Sequence, residues 1–224
     1  MRHSAAVNVP SQSEWLNRGT IGSVIPDQDF LPQVFSVASI YSRRAWLAVL
    51  AGTGLRIGEA LGLRVEDVSP DGSLVRVRQK AWKSEIHDFL KTENANREID
   101  LHSSLAALLR QQIADRKDGL VFRSKTGKPL SQRNILSREL HPILKELNWK
   151  DAESGTTKAG FHAFRCFRNT YLRNYTRTPD GIIHFWMGHA GEGMSDLYDK
   201  VRRDIRHRKE AAENAGLGFD LPTS

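Results

Sequence analysis

One stretch, residues 160–198, constrains this chain more than any other. Residues 161–175 carry a helical pattern that puts His162, Arg165, Asn169 and Arg173 on one face and Phe164, Phe167, Tyr171 and Tyr175 on the opposite face. Such a helix packs by its aromatic side and turns its cations toward something anionic. Arg168 and Arg177 add positive charge nearby. Taken alone, this is an ordinary basic amphipathic helix, and the residues that follow narrow the reading. Phe185-Trp186-Met187-Gly188-His189 comes next, and Tyr198 stands nine residues beyond His189.

Composition sets outer bounds. A chain of 224 residues with 39% hydrophobic content can build one domain with a real core. Lys+Arg 33 against Asp+Glu 26 gives a formal net charge of +7, which favours a polyanionic partner such as nucleic acid. The single cysteine, Cys166, excludes a disulfide framework and points to a reducing, cytoplasmic compartment. Its place near the cationic helix face raises a nucleophile as one reading, and a small filler residue is the better one. No apolar run reaches the roughly 18 residues a membrane span needs, and the N-terminus has no apolar signal segment.

In chain order, residues 1–25 read as a polar lead-in and residues 26–29 as a helix start. A helix follows over 42–51, broken by Gly52-Thr53-Gly54, and a second begins near Leu55 with Arg56 and Glu59 on neighbouring surface. Strands are expected over 74–80, 86–90 and 97–101, with residues 91–96 as a hairpin connection. Residues 103–116 form an amphipathic helix through Leu105, Leu108, Leu109 and Ile113. Residues 119–122 are extended, 124–129 make a basic loop, and Ser131 caps a helix reaching about Leu147. After a polar loop at 150–160 comes the central helix, then one with Pro179 in its first turn that ends at Met187. A short helix over 195–201 and a final helix over 203–215, ended by Gly216 and Gly218, complete the set. The expected fold is α+β, mainly α-helical, with a small three-stranded antiparallel sheet.

Arg56, Glu59, Lys91, His162, Arg165, His189 and Tyr198 form a coherent chemical set. Two guanidiniums can grip both non-bridging oxygens of one phosphodiester and stabilise a pentavalent transition state. A tyrosine hydroxyl can attack phosphorus and hold it as an ester. Histidine can take or share the nucleophile's proton, and a lysine on a turn can protonate the departing sugar oxygen. This set needs no metal and no cofactor, because the arginines supply the charge. Each member also has a plainer reading. Arg56 and Arg165 can be helix-surface charges, Glu59 a partner of Arg56, His162 a helix-start residue and His189 a packed core residue. Lys80 or Lys83 can take the place of Lys91. Tyr171 and Tyr175 lie on the apolar face and are set aside as nucleophiles.

In these residues the chain resembles the tyrosine recombinases, the phage-type integrases. Ala51-Gly52-Thr53-Gly54-Leu55-Arg56-Ile57-Gly58-Glu59-Ala60-Leu61 looks like the family's first arginine box, and Lys91-Thr92 its lysine turn. His162-Ala163-Phe164-Arg165 matches the His-x-x-Arg box, Met187-Gly188-His189 is similar to the Leu-Gly-His box, and Tyr198 falls where the nucleophile belongs. The resemblance implies that Arg56 and Arg165 clamp the scissile phosphate and that Lys91 is the general acid. It gives His162 a part in proton transfer and His189 a hydrogen bond to the phosphate. It implies that Tyr198 forms a 3′-phosphotyrosyl link and that Glu59 orients the site from behind. It implies a site-specific DNA recombinase acting on double-stranded DNA, as in integration of mobile elements, together with other copies of itself; the C-terminal helix is a candidate contact. Lys125, Lys128, Arg168 and Arg173 are the expected contacts to the DNA backbone.

The expected organisation is a catalytic domain over 26–216 and a C-terminal tail over 217–224, with the N-terminal DNA-clamping domain usual in the family absent. Two other activities fit the same residues: a truncated DNA-binding remnant that does not recombine, and a type IB topoisomerase-like nicking and closing activity.

Overall fold

A computed structural model describes residues 29–38, 41–88, 96–147, 160–189 and 200–221. Helix α1 (Phe30–Val37) leads into α2 (Tyr41–Thr53), the post around which the core is arranged. Every side chain of α2 from Ala45 onward is buried, which fits a helix enclosed on all sides. The Thr53 hydroxyl donates to Val49 O at 2.5 Å. Gly54, at φ +68, then turns the chain out of α2 and into α3 (Ile57–Gly62).

Strands β1 (Leu74–Val77), β2 (Lys80–Trp82), β3 (Glu85–His87) and β4 (Arg97–Asp100) form two separate antiparallel pairs. β1 pairs with β4 in a register that sets Leu74 against Asp100 and Val77 against Arg97. β2 pairs with β3, with Lys80 against His87. This corrects the expected three-stranded sheet: among the described residues the run 74–80 is two strands, interrupted at Arg78 and Gln79. The interruption has a local cause. Arg78 turns its guanidinium to the buried carboxylate of Asp67, and Gln79 Nε2 donates to Gly62 O at 2.5 Å. Both side chains therefore tie the chain to the end of α3 and the segment that follows it. The β2–β3 turn is Lys83-Ser84, at φ +50 and +65, the left-handed pair that a two-residue hairpin requires. That hairpin rests on α3, where Gly62 lets the strands approach: a Cβ there would lie 2.8 Å from the Lys80 backbone.

Helix α4 (Ser103–Ile113) packs on α2 and buries Leu105, Leu108, Leu109 and Ile113, as expected. The expected helix from Ser131 is a continuous run of α5 (Gln132–Ile135), a π-helical stretch (Leu136–Leu140) and α6 (His141–Glu146), with the Ser131 hydroxyl capping Asn134 N. Helix α7 (His162–Tyr175) packs on α2, and α8 (Asp180–Met187) packs on α7 and β4.

The last helix, α9 (Ile205–Ala215), docks on its own chain against β4. Its Arg208 is wholly buried: Nη2 donates to Glu98 Oε2 at 2.8 Å, Nε lies 3.3 Å from Asp100 Oδ2, and the guanidinium sits 4.9 Å over the Phe185 ring. Gly216 ends the helix. The chain then crosses α7, with Leu217 buried and the Phe219 ring 5.5 Å from Phe35 and 6.0 Å from Phe167. Among the described residues no helix is long and apolar enough to cross a membrane.

The seat of the β2–β3 hairpin generates a test. Gly62→Ala forces the strand backbone away from α3, and overpacking of this kind costs about 1–3 kcal/mol. Urea unfolding should show that loss.

Candidate active site

The site is built where α2 ends. Arg56 is the residue that precedes α3, and Glu59 lies in the first turn of that helix. Glu59 reaches back, accepting from Arg56 N through Oε2 at 2.9 Å and from Arg56 Nη1 through Oε1 at 2.9 Å. A second guanidinium grips the same carboxylate from inside the protein: Arg97 Nη2 donates to Oε2 at 2.9 Å and Nη1 to Oε1 at 3.2 Å. Glu59 is buried, and burial alone would raise its pKa. The charge and hydrogen bonds of Arg97, then those of Arg56, more than offset this and hold it below the usual carboxylate value. Arg56 itself is about half exposed, at 48% of its side-chain surface. It is anchored at one end and open to solvent at the other.

Arg165 comes from the first turn of α7 and is buried. Its Nη1 donates to Gly54 O at 2.7 Å, and its Nη2 donates to Met187 O, the last residue of α8. Burial, with the neighbouring charges of Arg56 and Arg97, lowers its pKa to about 10. It stays charged at neutral pH. The adjacent carbonyl, Trp186 O, accepts from Arg97 Nε at 2.7 Å. The C-terminal end of α8 is thus held by two guanidiniums, a placement the helix dipole favours.

Gly188, at φ +63, closes α8 and delivers His189, whose N–H donates to His184 O at 3.2 Å. The His189 ring meets His184 edge to face, 5.8 Å between centroids. Its pKa is pushed down to about 4, first by burial and then by the charges of Arg165, His184, Arg56 and Arg173. His189 is therefore a neutral imidazole at neutral pH. His162 opens α7 one turn before Arg165 and is exposed.

The structure thus brings Arg56, Glu59, Arg165 and His189 onto one frame. Lys91 and Tyr198 lie outside the described residues. Of the alternative lysines, Lys80 is half-buried on β2 and Lys83 is exposed at the hairpin turn. Tyr171 is spoken for as a packed residue, its hydroxyl donating to Ala215 O at 2.9 Å.

Among the expected DNA contacts, Lys125 and Lys128 are exposed on a tight turn closed by Gly127 N donating to Ser124 O at 2.9 Å. Arg173 is exposed and pairs with Asp180 at 3.3 Å. Arg168 requires a correction. It is buried, and its Nη1 donates to Gly216 O at 2.8 Å and to Leu217 O at 3.3 Å. Burial lowers its pKa to about 10. It points into the protein and staples the C-terminal segment to α7.

Arg97 is a site residue that local sequence pattern does not single out. The sequence signal for it is three charged residues in the four-residue strand Arg97-Glu98-Ile99-Asp100, where a strand with a buried face leaves some of them in need of buried partners.

Comparison with known proteins places the chain in a family. Residues 28–204 match the phage integrase family. The tyrosine recombinase XerA of Pyrococcus horikoshii is 24% identical over 214 residues, which cover 92% of this chain and 67% of the relative. The tyrosine recombinase XerD of Corynebacterium glutamicum is 34% identical over 162 residues, covering 72% of this chain and 49% of the relative. The chain spans about half to two thirds of the length of these relatives. Among solved structures, the Tn1549 transposon integrase in complex with a circular intermediate DNA superimposes with a TM-score of 0.62 at 20% identity, over 88% of this chain and 69% of that one. The crystal structure of XerA recombinase gives 0.57 at 21% identity, over 86% and 65%. The chain belongs to the phage integrase family, the tyrosine recombinases, and has the fold of their catalytic domain.

The electrostatics of His189 predict a pH response. Its folded pKa lies below its ordinary value of 6.5. Between about pH 4 and 6.5 the unfolded chain therefore binds more protons, and stability should rise with pH across that window. His189→Gln should flatten that part of the stability curve, as measured by denaturant unfolding at a series of pH values.

Proposed function

We propose that residues 26–216 are the catalytic domain of a site-specific DNA recombinase that cleaves and rejoins strands through a 3′-phosphotyrosyl intermediate. One observation carries this reading: two guanidiniums, Arg56 and Arg165, share a single hydrogen-bonded frame with a neutral His189. That arrangement suits a phosphodiester, since the guanidiniums stabilise the charge that builds on the non-bridging oxygens and the imidazole adds a hydrogen bond without adding charge.

In the proposed reaction, the Tyr198 hydroxyl oxygen attacks phosphorus and the bond from phosphorus to the 5′ oxygen breaks. His162 assists removal of the tyrosine proton. Lys91 gives a proton to the departing 5′ oxygen. A 5′-hydroxyl later attacks the phosphotyrosine and reverses the sequence. The arginines supply the charge a metal would otherwise bring. Double-stranded DNA is the partner, reached through Lys125, Lys128 and Arg173, and copies of the chain assemble on it with α9 as the candidate contact. The setting is the cytoplasm, where DNA and a single free cysteine coexist.

A nicked suicide substrate, which loses its 5′-hydroxyl strand on cleavage, tests the reading. The full chain should form an SDS-resistant adduct with it, and Tyr198→Phe should form none. An adduct that survives in Tyr198→Phe removes Tyr198 as the nucleophile, and a chain that binds the DNA without any adduct overturns the reading.

The leaving-group step has its own test. Lys91→Ala should slow cleavage about 10²–10⁴-fold, the usual weight of general acid help. A thiol has a pKa of about 8.5 and leaves without a proton, so sulfur in place of the bridging 5′ oxygen should restore Lys91→Ala. It should not restore Arg56→Ala. If Lys80→Ala or Lys83→Ala is the variant restored, the acid is that lysine.

A further inference from the structure

The structure points to Arg97 as the residue that sets the spacing between the two phosphate-binding arginines, an inference that rests on the strand-cleavage reading above. Its side chain is fully buried, at 0% exposure. It donates to Glu59 through both terminal nitrogens and to Trp186 O through Nε. Each of these acceptors stands one step from a phosphate-facing cation. Glu59 holds Arg56 by its backbone N–H and its guanidinium. Trp186 O is followed by Met187 O, which holds Arg165. Arg165 returns to Gly54 O, two residues before Arg56, and closes the circuit.

Stability alone does not account for a buried arginine at this point. A buried ion pair gains little over well-packed apolar side chains of the same volume. A guanidinium offers what an apolar residue cannot: a planar fork that fixes a carboxylate on one edge and a helix-end carbonyl on another. Arg97 joins α3 to the end of α8 in a fixed relation, and with it Arg56 to Arg165 and His189. It has no part in binding the phosphate; it is a positioning residue.

A double-mutant cycle tests this. Cleavage of the suicide substrate is followed in a single turnover at saturating DNA, and Arg56 order is followed by side-chain nitrogen NMR of the full chain without DNA. Arg97→Gln should slow cleavage about 10²-fold, the effect of roughly 1 Å of misplacement. In an Arg56→Ala background the same change should cost clearly less than in the parent, because one of the two arginines whose spacing it sets is already gone. Arg97→Lys keeps the charge and serves as the variant that folds. Its thermal unfolding should stay near that of the parent, while cleavage stays slow and the Arg56 guanidinium signals become averaged, since one ammonium cannot span Glu59 and Trp186 O. An undiminished loss in the Arg56→Ala background, or Arg56 signals as ordered in Arg97→Lys as in the parent, overturns the assignment. A parent chain that forms no adduct removes the strand-cleavage reading instead, and the NMR comparison still decides whether Arg97 orders Arg56.

Discussion

The structure depends on how a few buried guanidiniums are neutralised. Arg97, Arg165, Arg168 and Arg208 are all buried, and an unpaired charge in such a place would cost several kcal/mol. Two solutions are used. Arg97 and Arg208 meet carboxylates, Glu59 for the first and Glu98 with Asp100 for the second. Arg165 and Arg168 meet backbone carbonyls at or just past helix ends: Gly54 and Met187 for the first, Gly216 and Leu217 for the second. Helix ends leave carbonyls unsatisfied, so an arginine placed there satisfies two needs in one contact. The cost of burying the cation and the cost of burying a bare helix end offset each other.

This division has a consequence for chemistry. The two arginines of the site are not equivalent. Arg165 is fixed in the plane set by two carbonyls, and each terminal nitrogen that spends one hydrogen there keeps another. Arg56 is held on one side by Glu59 and is open to solvent on the other. One guanidinium is a rigid reference, and the other can meet an incoming anion. Burial first, and then the charge of Arg56, lowers the pKa of Arg165; burial and then the charges of both guanidiniums lower that of His189.

Much of this was legible in the sequence, for identifiable reasons. Arg56 and Glu59 could be paired because three-residue spacing on a helix brings side chains together, and Gly54 marked the break that puts Arg56 at the helix start. The α7 pattern gave the packed face correctly for Phe164, Phe167 and Tyr171. It failed for Arg168, because the acceptors of that guanidinium come from residues 48 and 49 positions later in the chain, and no local pattern announces them. The same limit hid Arg97 and Arg208. A lone arginine in a strand or a basic helix reads as solvent-exposed until its distant carboxylate is known. The single strand expected over 74–80 failed for a related reason: Arg78 and Gln79 have strand-like neighbours, but their side chains bond to Asp67 and Gly62.

The placement of α8 follows from these contacts. α8 cannot be placed by its own apolar face alone, since Ile182, Ile183, Phe185 and Trp186 would tolerate some rotation within the core. Directional bonds remove that freedom. Trp186 Nε1 donates to Asp100 Oδ2 at 2.9 Å, while its carbonyl accepts from Arg97 on the same strand. β4 therefore grips the last turn of α8 at both ends of one residue. With that turn fixed, Gly188 can reverse the backbone and set His189 within reach of the Arg165 charge. Asp100 also faces Arg208 of α9, so the strand that positions His189 is the strand on which the C-terminal helix is seated. The position of the site histidine is thus determined by pairing on a four-residue strand some ninety residues earlier in the chain.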